Sequence, residues 1–202
     1  MLAESMRQEL EDVIAGEGDD GRTYLGMSQI GKCARQLYLD LVNGRESPRG
    51  LALARCHEGM LHQRDVVERL ERAGVPVLEQ NRELVAPFDE RHRGHIDGEV
   101  DGDLLEIKSL ETLGDLADIK KNGPREHDQA QVQAYLRYGD YQRGLIVYKV
   151  RANGALWVAY VLRDDAAGER LERKARDVLA ALDRGLPPAC TCGHCRNGRR
   201  RR

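Results

Sequence analysis

The sequence predicts an α/β fold in which a mixed central β-sheet is flanked by helices. Three observations predict it. Apolar residues recur at helical spacing in both end regions and once in the middle of the chain. The period changes to that of strands over residues 82–109 and again over 143–162. The order of helices, strand meander, helix, strand pair and helix then calls for a sheet covered by helices rather than a bundle or a sandwich. A chain of 202 residues is long enough to bury a real core in a single domain, residues 1–202.

The elements follow in order. Residues 4–15 predict a first, amphipathic helix, followed by a GEGDDG loop. Ser28 suits the N-cap of a helix running through Val42, with Ile30, Cys33, Leu37 and Leu41 on one face. NGRESPRG is a loop. A further helix covers about residues 55–73, ended by Gly74 and followed by Pro76. RELVAPF, RGHIDGEV and DLLEIKSL predict three short strands in a meander. The polar stretch to about residue 126 reads as loop and short helix, suited to a lid or substrate gate. HDQAQVQAYLRYG predicts a helix. RGLIVYKV and ALWVAYVL predict a strand pair turning at Ala152-Asn153-Gly154, and residues 165–183 a last helix. The core of this plan spans about residues 55–163.

Composition excludes several classes. Hydrophobic residues at 41% and charged residues at 33% describe a globular chain, not a disordered one. No apolar run approaches the roughly 18–20 residues that cross a bilayer. The acidic, amphipathic N-terminal stretch lacks the basic-then-apolar order of a signal peptide, so the expected location is the cytosol. A net charge of −2 does not by itself announce nucleic-acid binding. The chain nevertheless ends in RNGRRRR, residues 196–202, which serves either as a solvated end or as a contact to phosphates. Aromatic content of 4% leaves few stacking platforms, chiefly Trp157, Phe88 and the tyrosines.

The most informative segment is VDGD, residues 100–103. Asp-Gly between strand residues is the sequence of a two-residue type I′ turn. With Asp101 and Gly102 as the turn, Val100 faces Asp103, and facing residues share a constant index sum. That rule sets Asp97 across from Glu106, with Cβ atoms about 4.5–5.5 Å apart. Alternation puts Leu104, Glu106 and Lys108 on one face, and Leu105 and Ile107 on the other. Two facing carboxylates repel each other, and a bound hard cation removes that penalty. Lys108 beside them can hold a water or stabilise charge developing on phosphorus. The bland alternative is a mixed-charge ladder on an exposed sheet face. His62 shares a helix face with Val66 and Leu70, so its imidazole is expected to point towards the sheet, as a core hydrogen-bonding group or as a metal ligand.

The five cysteines are Cys33, Cys56, Cys190, Cys192 and Cys195. Three of them within six positions argue for metal binding before disulfides in a cytosolic chain. Cys56 suits a buried core thiol.

These segments resemble the RecB-like branch of the PD-(D/E)xK nucleases over nearly the whole chain. GHIDGEV followed by LLEIKS resembles that family's G-h-x-D and E-x-K strands. EGMLH resembles its upstream glycine–histidine element, although here the histidine stands three rather than four positions after the glycine. QVQAY resembles the Q-x-x-x-Y helix. The resemblance implies a restriction-endonuclease-like core in which His62, Asp97, Glu106 and the Ile107 carbonyl oxygen hold one or two Mg²⁺ or Mn²⁺ ions. It implies that Lys108 orients the nucleophile and that Gln131 and Tyr135 position the DNA strand.

SQIGKCARQLY and PACTCGHC are similar to the iron–sulfur subgroup of that family, which includes CRISPR-associated single-strand exonucleases and a recombination helicase-nuclease subunit. By that resemblance Cys33 joins Cys190, Cys192 and Cys195 around a [4Fe-4S] cluster tying residues 28–42 to 187–196. The late spacing, C-x-C-x₂-C, is tighter than the family's, and His194 could substitute as a ligand. Four thiolates suit zinc as well as iron–sulfur. The implied function is exonucleolytic hydrolysis of single-stranded or end-opened DNA, with CRISPR-adaptation or recombination proteins as partners and a homo-oligomer as a further expectation. Two alternatives stand beside it: a structure-selective endonuclease of the same fold, and a non-catalytic nucleic-acid-binding module organised by its metal site.

Overall fold

The computed structural model describes residues 23–44, 51–190 and 192, with residues 51–56 described by backbone alone. The predicted first helix, the Cys56 thiol, His194, Cys195 and the arginine tail lie outside the described residues. In chain order the elements are β1 (Leu25–Gly26), a 3-10 turn (Met27–Gln29), α1 (Ala34–Val42), α2 (Leu51–Arg72), β2 (Glu83–Val85) and β3 (His92–His95). They continue with β4 (Gly98–Val100), β5 (Asp103–Leu110), α3 (Leu113–Asn122) and α4 (Glu126–Gly139), then β6 (Arg143–Val150), β7 (Leu156–Leu162) and α5 (Asp165–Arg184).

The strands form two mixed sheets, where a single one was expected. The smaller has the order β1-β3-β2, the larger β4-β5-β6-β7. In the larger sheet β4 and β7 run antiparallel to their neighbours, and β5 pairs in parallel with β6 across the α3–α4 connection. The Asp101-Gly102 turn adopts positive φ at both residues, 50° and 80°, as type I′ requires. The pairs Val100↔Asp103, Glu99↔Leu104 and Gly98↔Leu105 follow the expected register.

Alternation along β5 assigns its two faces. Leu105 and Ile107 meet Val66 and Val67 of α2, together with Val77, Val100 and Val147. Leu104 and Leu110 face the larger core, built with Ile146 and Tyr148 of β6 and with Val132, Tyr135 and Leu136 of α4. Behind α4 lies α5, contributing Ala175, Val178 and Leu179. Burial of these side chains, roughly 1.5–3 kcal/mol each, is what holds the layers together. Among the described residues, no helix is long and apolar enough to cross a membrane.

Three expected elements differ. The helix expected from Ser28 starts only at Ala34, with Cys33 in extended conformation before it. Ser28 instead sits in the 3-10 turn, and the chain between turn and helix passes so close to α4 that a Cβ on Gly31 would lie 2.9 Å from His127 Cα. The expected meander is four strands in two sheets, because the chain changes partner inside GHIDGEV. Ile96 still bonds to the carbonyl of Arg82, whereas Glu99 exchanges backbone bonds with Leu78, and Gly98 already pairs with Leu105. The polar stretch after residue 110 is largely the helix α3, started by a reciprocal capping box between Thr112 and Asp115.

Arg91, just before β3, ties the sheet layer to the end of α5. It donates to Asp89 at 2.7 Å and to Asp183 at 2.6 Å. These bonds hold both carboxyls below the usual carboxylate range. A lowered folded-state pKa stabilises above the unfolded value, about 3.9, and the contribution vanishes as pH falls through the folded one. Arg91→Ala is therefore expected to lower the melting temperature at pH 7. The gap to the wild type should narrow steadily as pH is taken down to 3. A gap that stays constant across that range would rule out the ion-pair origin.

Candidate active site

The change of sheet partner creates the site. Because β4 begins only at Gly98, the edge of β5 beyond Leu105 has no antiparallel neighbour in the β4 direction among the described residues. Asp97 stands at that point, and its Oδ2 accepts the Ile107 N–H at 2.6 Å. In a strand, a residue's N–H and carbonyl lie on the same edge, so the Ile107 carbonyl also faces the side that Asp97 occupies. The predicted cross-strand facing of Asp97 and Glu106 is thus replaced by a carboxylate capping the open strand edge beside Glu106.

Glu106 projects from the α4 face of β5 and is 3% exposed. Its Oε1 accepts from Lys108 Nζ at 2.8 Å and from Gln131 Nε2 at 2.8 Å. Its Oε2 is buried and has no hydrogen-bond partner among the described residues. Gln131 holds both members together, since its Oε1 takes a bond from Lys108 Nζ at 2.7 Å. Tyr135, one turn further along α4, donates its hydroxyl to the His95 carbonyl at 2.8 Å and accepts from Gln131 at 3.2 Å. Gly94 makes this approach possible, because a Cβ there would fall 2.9 Å from the Tyr135 ring.

The electrostatics are those of a cation site. Burial, and then the charge of Glu106, push the Asp97 carboxyl well above the usual range. Glu106 is also raised, because burial together with Asp128 outweighs its bonds to Lys108 and Gln131. Burial works against the Lys108 ammonium, but Glu106, Asp128 and Asp97 more than offset it and keep the group protonated. Three carboxylates therefore share one ammonium in a largely buried setting, and one buried carboxylate oxygen has no partner among the described residues. Oxygen donors with excess negative charge and an orphaned buried oxygen fit Mg²⁺ or Mn²⁺.

Asp128 escaped the sequence reading. It is 2% exposed, accepts from the Tyr148 hydroxyl at 3.0 Å, and lies 4.0 Å from Lys108 Nζ. Its signal was weak: an acidic residue in the first turn of a helix ordinarily reads as a partner of the helix dipole. His62 lies on the other face of the sheet. Burial and the charges of Lys149 and Arg151 depress its pKa, while Glu58 and Asp65 oppose them. In the same region the nearly buried Lys149 bonds Asp65 at 2.6 Å, and Arg151 bonds Ser109 at 3.0 Å. Asp97, Glu106, Lys108, Gln131 and Tyr135 thus form one network, and His62 belongs to a neighbouring one across the strand edge.

The cysteines converge at a second place. Cys33 Sγ lies 3.4 Å from Cys190 Sγ, which lies 3.3 Å from Cys192 Sγ, and the three sulfurs fall within 4.8 Å of one another. Both separations exceed the roughly 2.05 Å of a disulfide bond. Lys174 of α5 anchors the loop before Cys33 by donating to the carbonyls of Ile30 at 2.9 Å and Lys32 at 3.3 Å.

No family model and no curated protein matches this sequence. Among solved structures, the alkaline exonuclease of Laribacter hongkongensis superimposes with a TM-score of 0.66 at 18% identity, over 86% of this chain and 93% of that one. The chain has the fold of this exonuclease. The structure of the same exonuclease in complex with dAMP gives 0.63 at 19% identity, over 88% and 93% of the two chains. A phage-related exonuclease of Haemophilus somnus gives 0.50 at 12% identity, over 64% and 70%.

Proposed function

We propose that the protein is a divalent-metal-dependent deoxyribonuclease that degrades single-stranded or end-opened DNA from its ends. The observation that carries this reading is the buried, unpartnered Glu106 oxygen beside Asp97 and Lys108 on an exonuclease fold. Asp97, Glu106 and the Ile107 carbonyl would hold the Mg²⁺ or Mn²⁺; the resemblance adds His62, which lies across the strand edge beside Lys149 and Arg151, as a further ligand. Such an ion, when bound, lowers the pKa of a water molecule and draws charge from the phosphate.

The protein groups divide the remaining work. Lys108, whose side chain is 26% exposed, is the cation of the network that reaches solvent. It orients the attacking water and offsets charge developing on the phosphate oxygens. Gln131 keeps Lys108 and Glu106 in register, and Asp128 holds the ammonium from its other side. By resemblance Gln131 and Tyr135 also guide the substrate strand; buried as they are, they do so by fixing the groups that touch it.

For the cysteine site, the resemblance favours [4Fe-4S], with Cys195 as the fourth ligand. The sulfur spacing favours zinc, because a tetrahedron with Zn–S bonds of about 2.3 Å has edges of roughly 3.8 Å. In either form the centre would tie the Cys33 loop to the segment after α5. The proposed setting is the cytosol, with CRISPR-adaptation or recombination proteins as partners.

The test uses anaerobically purified protein with linear and circular single-stranded DNA, in Mn²⁺ or EDTA. Metal-dependent loss of the linear substrate alone is the expected result. Cleavage of the circle would make the protein an endonuclease. Salt-sensitive binding without cleavage of either would make it a nucleic-acid-binding module.

A further inference from the structure

The strand β7 presents an unusual edge. Its sequence, Leu-Trp-Val-Ala-Tyr-Val-Leu, holds no charge, proline or glycine, the devices that normally keep an edge strand from pairing. Among the described residues no strand lies on the far side of β7. Along one face Leu156, Val158, Tyr160 and Leu162 are 40%, 40%, 63% and 71% exposed. This face is shared with Val147, the last residue of the sheet that the apolar side chains of α2 cover.

The direction of the backbone groups is determined. Arg163 N–H donates to the Gln142 carbonyl at 3.0 Å, and the Ala155 carbonyl accepts from Val150 at 2.9 Å. Odd-numbered residues of β7 therefore spend their backbone groups on β6. Even-numbered ones aim theirs outward, as the Leu162 carbonyl does in accepting from Gln133 at 2.7 Å. That leaves Leu156, Val158 and Tyr160 with N–H and C=O directed at the open edge.

We propose that β7 pairs with β7 of a second copy of this chain, antiparallel and centred on Val158. In this register Val158 faces Val158, and Leu156 faces Tyr160. Each facing pair exchanges both of its backbone bonds. Apolar side chains meet apolar side chains, and Arg163 falls opposite Asn153, so no like charges are opposed. The two larger sheets become one continuous sheet, with α2 on the same side in both copies. With the strand backbones included, the area covered is on the order of 1,000 Å², the lower bound for a specific interface. The self-complementary register selects a second copy over an unrelated strand. The inference is independent of the nuclease reading.

The test is sedimentation velocity on the full chain and on two variants, Val158→Lys and Val158→Glu. The wild type is expected to sediment as a dimer and each variant alone as a monomer. An equimolar mixture of the variants should recover the dimer, because only a residue on the two-fold axis meets its own copy. A monomeric wild type, a variant that still dimerises alone, or a folded mixture that stays monomeric overturns the proposal. Hydrogen exchange of the wild type gives a readout that does not depend on how the variants fold. The amides of Leu156, Val158 and Tyr160 should be protected at high protein concentration and lose protection on dilution; fast exchange at high concentration also overturns it.

Discussion

Glu106→Gln is expected to lower the rate of DNA hydrolysis by roughly 10³-fold or more, the equivalent of at least about 4 kcal/mol of transition-state stabilisation. The amide keeps the shape of the side chain and can still meet Gln131, so the loss isolates the charge. The same substitution is expected to cost the metal-free protein little or no stability. Asp97, Glu106 and Asp128 together exceed the single charge of Lys108, and removing one of them relieves a buried excess rather than creating one. Glu106 Oε2 has no partner among the described residues to lose. The signature is a separation of two effects. Mn²⁺ at a hundred times its Kd should stabilise the wild type by about 2.7 kcal/mol. At roughly 2–4 °C per kcal/mol, that is a rise of about 5–11 °C in melting temperature. In the variant the rise should largely disappear. A variant that hydrolyses DNA within tenfold of the wild type, or that keeps the full Mn²⁺ shift, would remove Glu106 from the metal site and with it the reading of the hairpin.

The hairpin at this centre was legible because turn chemistry and strand period are local. Asp101-Gly102 determines the turn, and the turn determines the register of Gly98 to Leu105. What lies one residue further was not legible. Alternation cannot reveal that Ile96 bonds to one sheet and Gly98 to another, yet this switch frees Asp97 to cap Ile107. The same limit applies to His62. Helical spacing predicts an inward-facing side chain but not which face of the sheet it meets, and here that is the face of Lys149, opposite Glu106. Helix α3 was legible only as loop and short helix because its buried apolar face amounts to Leu116 and Ile119 among polar residues, although Thr112 and Asp115 spell its cap. Asp128 and Tyr148 meet across 20 positions through side-chain atoms, a pairing that no periodicity encodes.

The candidate active site and the cysteine cluster are joined by one helix. The loop that ends in Cys33 rests on the first turn of α4, where Gly31 abuts His127. The next residue, Asp128, supports Lys108, and Gln131 follows one turn on. Lys174 fixes the same loop to α5 without any metal. A metal held by the cysteines would therefore give the Cys33 loop a second restraint, independent of the Lys174 bond, and α4 needs only one of the two to keep its place. The cysteine centre should accordingly act on stability far more than on chemistry.

Cys190→Ser is expected to show this as a large fall in melting temperature with catalysis retained. A metal that binds only the folded chain stabilises it by about 4 kcal/mol when present a thousandfold above its Kd. For a domain of this size that corresponds to a fall of roughly 8–16 °C. Cys190 is the sulfur to remove, since it is the one within 3.4 Å of both others. Below the new melting temperature, Mn²⁺-dependent kcat should remain within about tenfold of the wild type, because Lys174 still holds the loop against α4. Metal analysis of the purified wild type decides the nature of the centre in the same experiment. Zinc at one equivalent, colourless and stable in air, is the outcome that the sulfur spacing favours; brown protein carrying iron and sulfide, bleached by oxygen, is the outcome that the resemblance favours. A Cys190→Ser protein that melts within 2 °C of the wild type would mean that the three sulfurs hold no metal. The junction of the Cys33 loop with the segment after α5 would then rest on packing and on Lys174 alone.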